Sequence, residues 1–238
     1  MLHGGKREKA FTEAARRSRL SVALGLAAGF TLSLGLLLLL LWFAGEVAEG
    51  ESQRLDTAVL LWIHSSFPAW LGLPMRLATG LGYYWVVAPL ALACGYAFYR
   101  RGLASSAVLL VVSTFGSVLL TTGLKAVYAR PRPELFDSGY TASFYSFPSG
   151  HATVAVGFYG ALALLLAFRF RGWRRVAVLL SGALVVVLIG LSRLYLGVHY
   201  PTDVLAGYLS ALLWLACVGA ALKLYLYLRR PGPGDPPA

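Results

Sequence analysis

Residues 54–82, RLDTAVLLWIHSSFPAWLGLPMRLATGLG, have the length of a membrane span but not its continuity, and the topology of the whole chain turns on which property wins. A transmembrane helix needs about 20 consecutive, mostly apolar residues. Here Pro68 and Pro74 interrupt the run, and Arg54, Asp56 and Arg76 flank or punctuate it. The stretch therefore reads as one or two amphipathic helices lying on the bilayer, not as a span.

On either side the chain is plainly membrane-embedded. Of its 238 residues 58% are hydrophobic and 13% charged, with a mean hydropathy of +0.68, more apolar surface than a soluble domain can hide. Six stretches have span length: about 21–44, 83–99, 103–123, 151–168, 176–193 and 203–228. The expected fold is an all-α, six-span transmembrane bundle with an extracytoplasmic interfacial helix region. The first span follows the basic segment KREKAFTEAARRSR, and its apolar run is too long for a signal-peptide core, so it is expected to be retained. The organisation expected is a basic segment at 1–20, a membrane domain at 21–228 and a disordered tail, RRPGPGDPPA, at 229–238. Cys94 and Cys217 fall inside apolar runs, which indicates neither a disulfide framework nor a thiolate metal site. The net charge of +11 comes from short clusters flanking apolar segments, a pattern of membrane anchoring and not of nucleic-acid binding.

Lysine and arginine bias orients the bundle. With the N-terminus inside, fourteen of the 21 basic residues are cytoplasmic: those of Lys6–Arg19, Arg100 and Arg101, those of Arg169–Arg175, and Arg229 and Arg230. Six lie opposite, at Arg54, Arg76, Lys125, Arg130, Arg132 and Arg193. A seventh span at 57–82 would put successive basic clusters on opposite sides. The sequence thus predicts a multi-pass protein of the cell membrane with both termini cytoplasmic, and with segments 124–150 and 193–203 outside.

Three polar clusters then share one membrane face: KAVYARPRP (125–133), PSGH (148–151) and SRLYLGVHYPTD (192–203). Each alone has a plain explanation. Lys125 and Arg130 would be snorkelling cations, Ser149 a helix N-cap, and His199 with Asp203 a capping arrangement beside Pro201. His3 and His64 lack such company and are assigned to a terminal tail and an interfacial helix. Together, cations, histidines and a carboxylate at one bilayer face are costly unless they bind something. Lys125, Arg132 and Arg193 match phosphate oxygens. Ser149 and Gly150 add helix N-terminal N–H groups, unobstructed because Gly150 lacks a side chain. No acidic cluster of the kind magnesium needs is present, so no metal or other cofactor is expected. His199 has Asp203 four residues on to fix its tautomer, and His151 is placed to protonate a departing oxygen.

Lys-x6-Arg-Pro, Pro-Ser-Gly-His and Ser-Arg-x5-His-x3-Asp, in that order over 125–203, resemble the three signatures of the type-2 phosphatidic acid phosphatase superfamily. The resemblance implies a metal-independent lipid phosphatase with a six-helix core and a phosphohistidine intermediate. By position, His199 is then the nucleophile, Asp203 its partner and His151 the general acid, with Lys125, Arg132, Ser149, Gly150 and Arg193 binding phosphate. RPRP offers Arg130 as a second candidate, but the six-residue spacing selects Arg132. Undecaprenyl pyrophosphate, phosphatidylglycerophosphate and phosphatidic acid are the substrates this implies. The bilayer and its lipid phosphate are the partners expected, with no nucleic acid and no obligate protein partner. The rival readings are a lipid phosphotransferase using the same site, a phosphate-solute transporter, and a metal site built from His151, His199 and Asp203. Segment 54–82, with Trp62, Phe67 and Trp70, is expected to lie along the same leaflet as the site, where polar substitution at Trp62 or Trp70 should narrow a preference for long-chain substrates.

Overall fold

The computed structural model describes residues 4–229, with side chains from Leu20 onward. His3 and nearly all of the tail expected to be disordered lie outside these residues. Among the described residues the chain is all helix: α1 (Gly4–Ala48), α2 (Gln53–Ser66), a 3-10 turn (Ala69–Leu71), α3 (Gly72–Gly80), α4 (Tyr84–Arg100) and α5 (Ala104–Tyr128) precede a long loop. After it, α6 (Gly150–Ala155) runs through a π-turn (Val156–Gly160) into α7 (Ala161–Ala167), followed by α8 (Trp173–Tyr195) and α9 (Pro201–Leu228).

Five rods are long and apolar enough to cross a bilayer: Leu20–Ala48 within α1, α5, the continuous Gly150–Ala167, α8 and α9. At 17 residues, α4 is the shortest of the expected spans and meets only the lower limit of about 17. The contested stretch is broken. Gln53–Ser66 and Ala69–Gly80 meet at 104°, with Pro68 capping the short turn between them. Proline cannot donate a backbone hydrogen bond and biases the residue before it towards extended conformation, and Phe67 is extended here (φ −103°, ψ 133°).

Close helix contacts depend on small residues, as they do where lipid supplies no hydrophobic force between helices. A Cβ at Gly157 would strike Ser117 of α5, at Gly182 Ala163, at Gly190 the Tyr208 hydroxyl, and at Gly116 the Trp214 ring. Val87, Ala91, Phe98, Leu110, Val154, Phe158, Ala161 and Leu215 form one core where α4, α5, α6–α7 and α9 meet. A second, of Leu60, Ile63, Ala152, Leu194, Tyr200 and Val204, seats α2 on the ends of α6, α8 and α9. α1 packs against α9 and carries exposed Leu24, Phe30, Leu38 and Trp42 along its other faces. At about 1.5 Å per residue its 45 residues extend about 67 Å, far beyond a hydrocarbon core of about 30 Å. The helix therefore continues unbroken through the expected boundary at residue 20.

Candidate active site

The Pro-Ser-Gly-His turn is clamped to the start of α9. The Ser149 N–H donates to the Asp203 carbonyl at 2.9 Å, and the Ser149 carbonyl accepts from the N–H and the hydroxyl of Thr153. A Cβ on Gly207, one turn into α9, would come within 2.7 Å of the Ser149 carbonyl, so only glycine lets the two backbones approach this far. Ser149 occupies the N-cap position, yet its hydroxyl makes no capping hydrogen bond; its Oγ is buried without a partner. A Cβ built on Gly150 would meet Thr121 and Lys125 at ordinary contact distances of 3.6 and 4.0 Å.

His199 sits in the short connection from α8 to α9, 2% exposed. Its Nδ1 lies 3.4 Å from Asp203 Oδ2, and its Nε2 lies 3.2 Å from Arg132 Nη1. A guanidinium can only donate, so Nε2 accepts and carries the lone pair, while the proton resides on Nδ1 facing the carboxylate. Burial, and after it the positive charge of Arg193, Arg132 and Lys125, holds the imidazole well below its usual 6.5, so it is neutral. Asp203 also caps α9, accepting the Tyr200 N–H at 2.9 Å. Capping and histidine pairing are thus two uses of one carboxylate.

Lys125, Arg132 and Arg193 converge, and among the described residues none of them forms an ion pair with a carboxylate. Lys125 Nζ donates to the carbonyls of Tyr145 and Ser146. Arg132 donates to the carbonyls of Val198 (2.6 Å), Phe144 (2.8 Å) and Ser143 (2.8 Å). Burial, and then Arg193, pushes the Arg132 guanidinium down to about 10, which leaves it cationic at neutral pH. Arg193, 1% exposed, donates to Thr79 Oγ1 at 2.6 Å and the Tyr140 hydroxyl at 3.1 Å, and its Nε is buried without a partner. The Tyr140 hydroxyl lies 2.5 Å from that of Tyr83, and the Tyr83 ring meets His151 edge-on at 5.1 Å. His151 Nε2 is likewise buried and unpartnered.

Arg130 faces elsewhere. It pairs with Asp203 at 2.7 Å and with Asp56 of α2 at 2.8 Å, in the interior. Sequence reasoning missed this pair, along with Thr79, Tyr83 and Tyr140. Asp56 was expected in an interfacial helix, yet it is fully buried. No local signal identifies these residues, because their partners lie 53 to 114 positions away. Among the described residues no group of three or more His, Cys, Asp or Glu side chains is gathered to hold a metal ion.

A cavity of about 270 Å³ opens against Lys125, Gly150 and His151, lined further by Tyr83, Trp85 and Val118. It lies between α4 and α5. Trp62 lines a separate apolar cavity with Ile63, Phe67, Leu71, Met75, Leu191 and Tyr195. Trp62 and Trp70 are both exposed, and neither borders the cavity between α4 and α5. Asp56, bonded to Thr202 and Arg130, anchors α2 on the start of α9.

Residues 106–228 match the family described as the PAP2 superfamily. A phosphatidylglycerophosphatase B of Bacillus subtilis (strain 168) is 34% identical over 182 residues, covering 75% of this chain and 88% of that protein. The chain belongs to the PAP2 superfamily. An undecaprenyl-diphosphatase of Sulfolobus acidocaldarius is 36% identical over 107 residues, 43% of this chain and 48% of that protein, so this match spans about half the relative. In structure, the chain is similar to a transmembrane PAP2-type phosphatidylglycerolphosphate phosphatase from Bacillus subtilis, with a TM-score of 0.73, 29% identity, and coverage of 83% of this chain and 97% of that one. The all-helical membrane fold is therefore that of a PAP2 phosphatase.

Proposed function

We propose that the protein hydrolyses the phosphomonoester or diphosphate of a membrane lipid, without a metal, through a phosphohistidine formed on His199. Kinship makes the chain a hydrolase of the phosphatase class, since its relatives are named phosphatases of lipid phosphates and diphosphates. What carries the finer reading is one observation. Three cations without a carboxylate partner, and three unpartnered buried polar atoms (Ser149 Oγ, His151 Nε2 and Arg193 Nε), belong to the same cluster as the lone pair of His199 Nε2.

In this reading the His199 Nε2 lone pair attacks phosphorus as the P–O bond to the leaving oxygen breaks, and His151 supplies that oxygen's proton. Lys125, Arg132, Arg193 and the Ser149–Gly150 turn hold the equatorial oxygens as charge redistributes. Asp203 stabilises the imidazolium. Water then attacks phosphorus, the P–N bond breaks, the electrons return to Nε2, and His151 accepts a proton from the water. The lipid reaches the site from the cavity between α4 and α5, and we place this face outside the cell. Phosphate release from a panel of purified lipid phosphates and diphosphates, with and without chelator, tests the proposal. Release should survive EDTA, be blocked by vanadate and vanish in His199→Ala. Loss of activity in EDTA with recovery on adding zinc or magnesium would overturn it.

A further inference from the structure

We infer that Arg130 is a positioning residue for this reaction, acting through Asp203 on His199, with Asp56 of α2 as its counter-charge; the inference rests on the reading of His199 as the attacking group. Although two residues from Arg132, Arg130 spends its guanidinium on the opposite side. Nη1 donates to Asp203 Oδ1 at 2.7 Å and Thr202 Oγ1 at 2.9 Å. Nη2 donates to Asp56 Oδ2 at 2.8 Å and Gln53 Oε1 at 3.1 Å. The group lies over the Tyr200 ring, 4.1 Å from its centroid. Asp56 is fixed in turn, accepting the Thr202 N–H at 3.0 Å and the Thr202 hydroxyl at 2.6 Å.

This arrangement sets what Asp203 can do. Arg130 holds Oδ1, so Oδ2 is turned to the Tyr200 N–H and to His199 Nδ1. The histidine contact is long, 3.4 Å, and cannot orient the carboxylate unaided. Deprived of its cation, a buried carboxylate either rotates or takes up a proton, and a protonated one no longer serves as a pure acceptor. The Nδ1–H then loses its acceptor and the lone pair on Nε2 is no longer assured. Asp56 balances Arg130, so that Asp203 is not the guanidinium's sole counter-ion and stays available to His199. Segment 53–66, outside every signature, is in this way part of the catalytic apparatus.

A purely structural staple between α2 and α9 would use the same contacts, so the test must read more than activity. In the full-length protein, with a long-chain lipid phosphate, Arg130→Gln should lower kcat by about 100-fold while KM and the vanadate inhibition constant stay within about threefold. The number of vanadate-binding sites per protein should not change. In an Asp203→Asn background the same substitution should cost less than about threefold, because the residue through which it acts is already disabled. Parallel losses of kcat and vanadate affinity would make Arg130 a phosphate ligand and overturn the inference. So would a kcat within about twofold of the parent, or full additivity with Asp203→Asn. Should Arg130→Gln not fold, Asp56→Asn carries the same cycle: about a tenfold fall in kcat, absent in the Asp203→Asn background, with additivity again overturning the inference. His199→Ala assayed alongside separates the two levels. Retained turnover there rejects the nucleophile reading itself, whatever Arg130 does.

Discussion

At the scale of single residues, the two histidines differ in what their surroundings ask of them. His199 presents a lone pair at Nε2 with its proton held towards Asp203, whereas His151 Nε2 is buried and unpartnered, free to handle a proton. His199→Ala should abolish the acid-labile, base-stable phosphoenzyme. His151→Ala should cost about 10²- to 10⁴-fold on an ordinary lipid phosphate. It should recover in part when the leaving group is an acidic phenol that needs no proton. Equal rescue of both variants would sink the assignment of roles. The depressed affinity of His199 for protons gives a second expectation. ¹⁵N spectra of histidine-labelled protein should show His199 as the neutral Nδ1–H tautomer well below pH 6.5, the value of a free histidine. A charged ring or the Nε2–H tautomer at pH 6 contradicts it. The sign for stability follows, because the unfolded chain binds more protons than the folded one below about pH 6.5. The contribution of this group is complete above that pH, and is lost as pH falls through the window towards the folded value.

At the scale of elements, the site depends on how closely α9 approaches the turn that opens α6. Gly207 is the point of contact, with a built Cβ reaching Ser149 carbonyl at 2.7 Å, Ala152 Cβ at 3.0 Å and Thr153 Oγ1 at 3.1 Å. None of these is the far end of a flexible side chain, so Gly207→Ala must shift the Pro-Ser-Gly-His turn. A misplacement of about 1 Å can cost about 100-fold in rate, and a loss of that order in kcat is expected with helical content unchanged. Gly219→Ala, on the same helix with open space around it, is the control and should stay within about twofold. Equal activity of the two variants would remove close approach as the reason for the glycine. The same packing explains which features were legible beforehand. Signature spacing locates Lys125, Arg132, Ser149, His151, Arg193, His199 and Asp203 because each group is local in sequence. Five of the six expected spans were legible from apolar runs, and the break at Pro68 from chemistry that acts on its immediate neighbours. Asp56, Thr79 and Tyr140 were not legible, since a buried aspartate on an amphipathic helix reads as an exposed one until its partner is known. The π-turn at Val156–Gly160 also left no mark, because its apolar residues fit an ordinary helix equally well.

At the scale of the whole molecule, the cluster lies where α5, α6, α8 and α9 end, with α2 anchored on the start of α9, Thr79 of α3 bonded to Arg193, and a cavity opening at the start of α4. From the distribution of basic residues we propose that this end faces outside the cell. In a protein whose Cys94 and Cys217 are replaced by alanine, Thr141→Cys should react with an impermeant thiol reagent added to intact cells, and Arg171→Cys should not. The reverse labelling pattern would invert the topology. Membrane position also governs how substrate arrives. The cavity of about 270 Å³ is apolar along Trp85, Val118 and Val154 and ends on Lys125, Gly150 and His151. Trp85 is 75% exposed. In the proposed reaction a phosphorylated lipid slides its headgroup inward there while its chains stay in hydrocarbon, and chain binding helps hold phosphorus in line with His199 Nε2. Long-chain substrates should therefore exceed short, water-soluble phosphate esters in kcat/KM by about 100-fold or more. Val118→Asp, which places a charge on the apolar wall, should narrow that gap chiefly by lowering kcat/KM for the long-chain substrate. The values for the short ester should be nearly unchanged, since Lys125, Arg132, Arg193 and both histidines are left in place. Trp62→Gln and Trp70→Gln, outside this cavity, should leave the gap as it is. If these two tryptophans control chain-length preference and Val118 does not, the lipid comes in past α2, and the cavity between α4 and α5 is not its route.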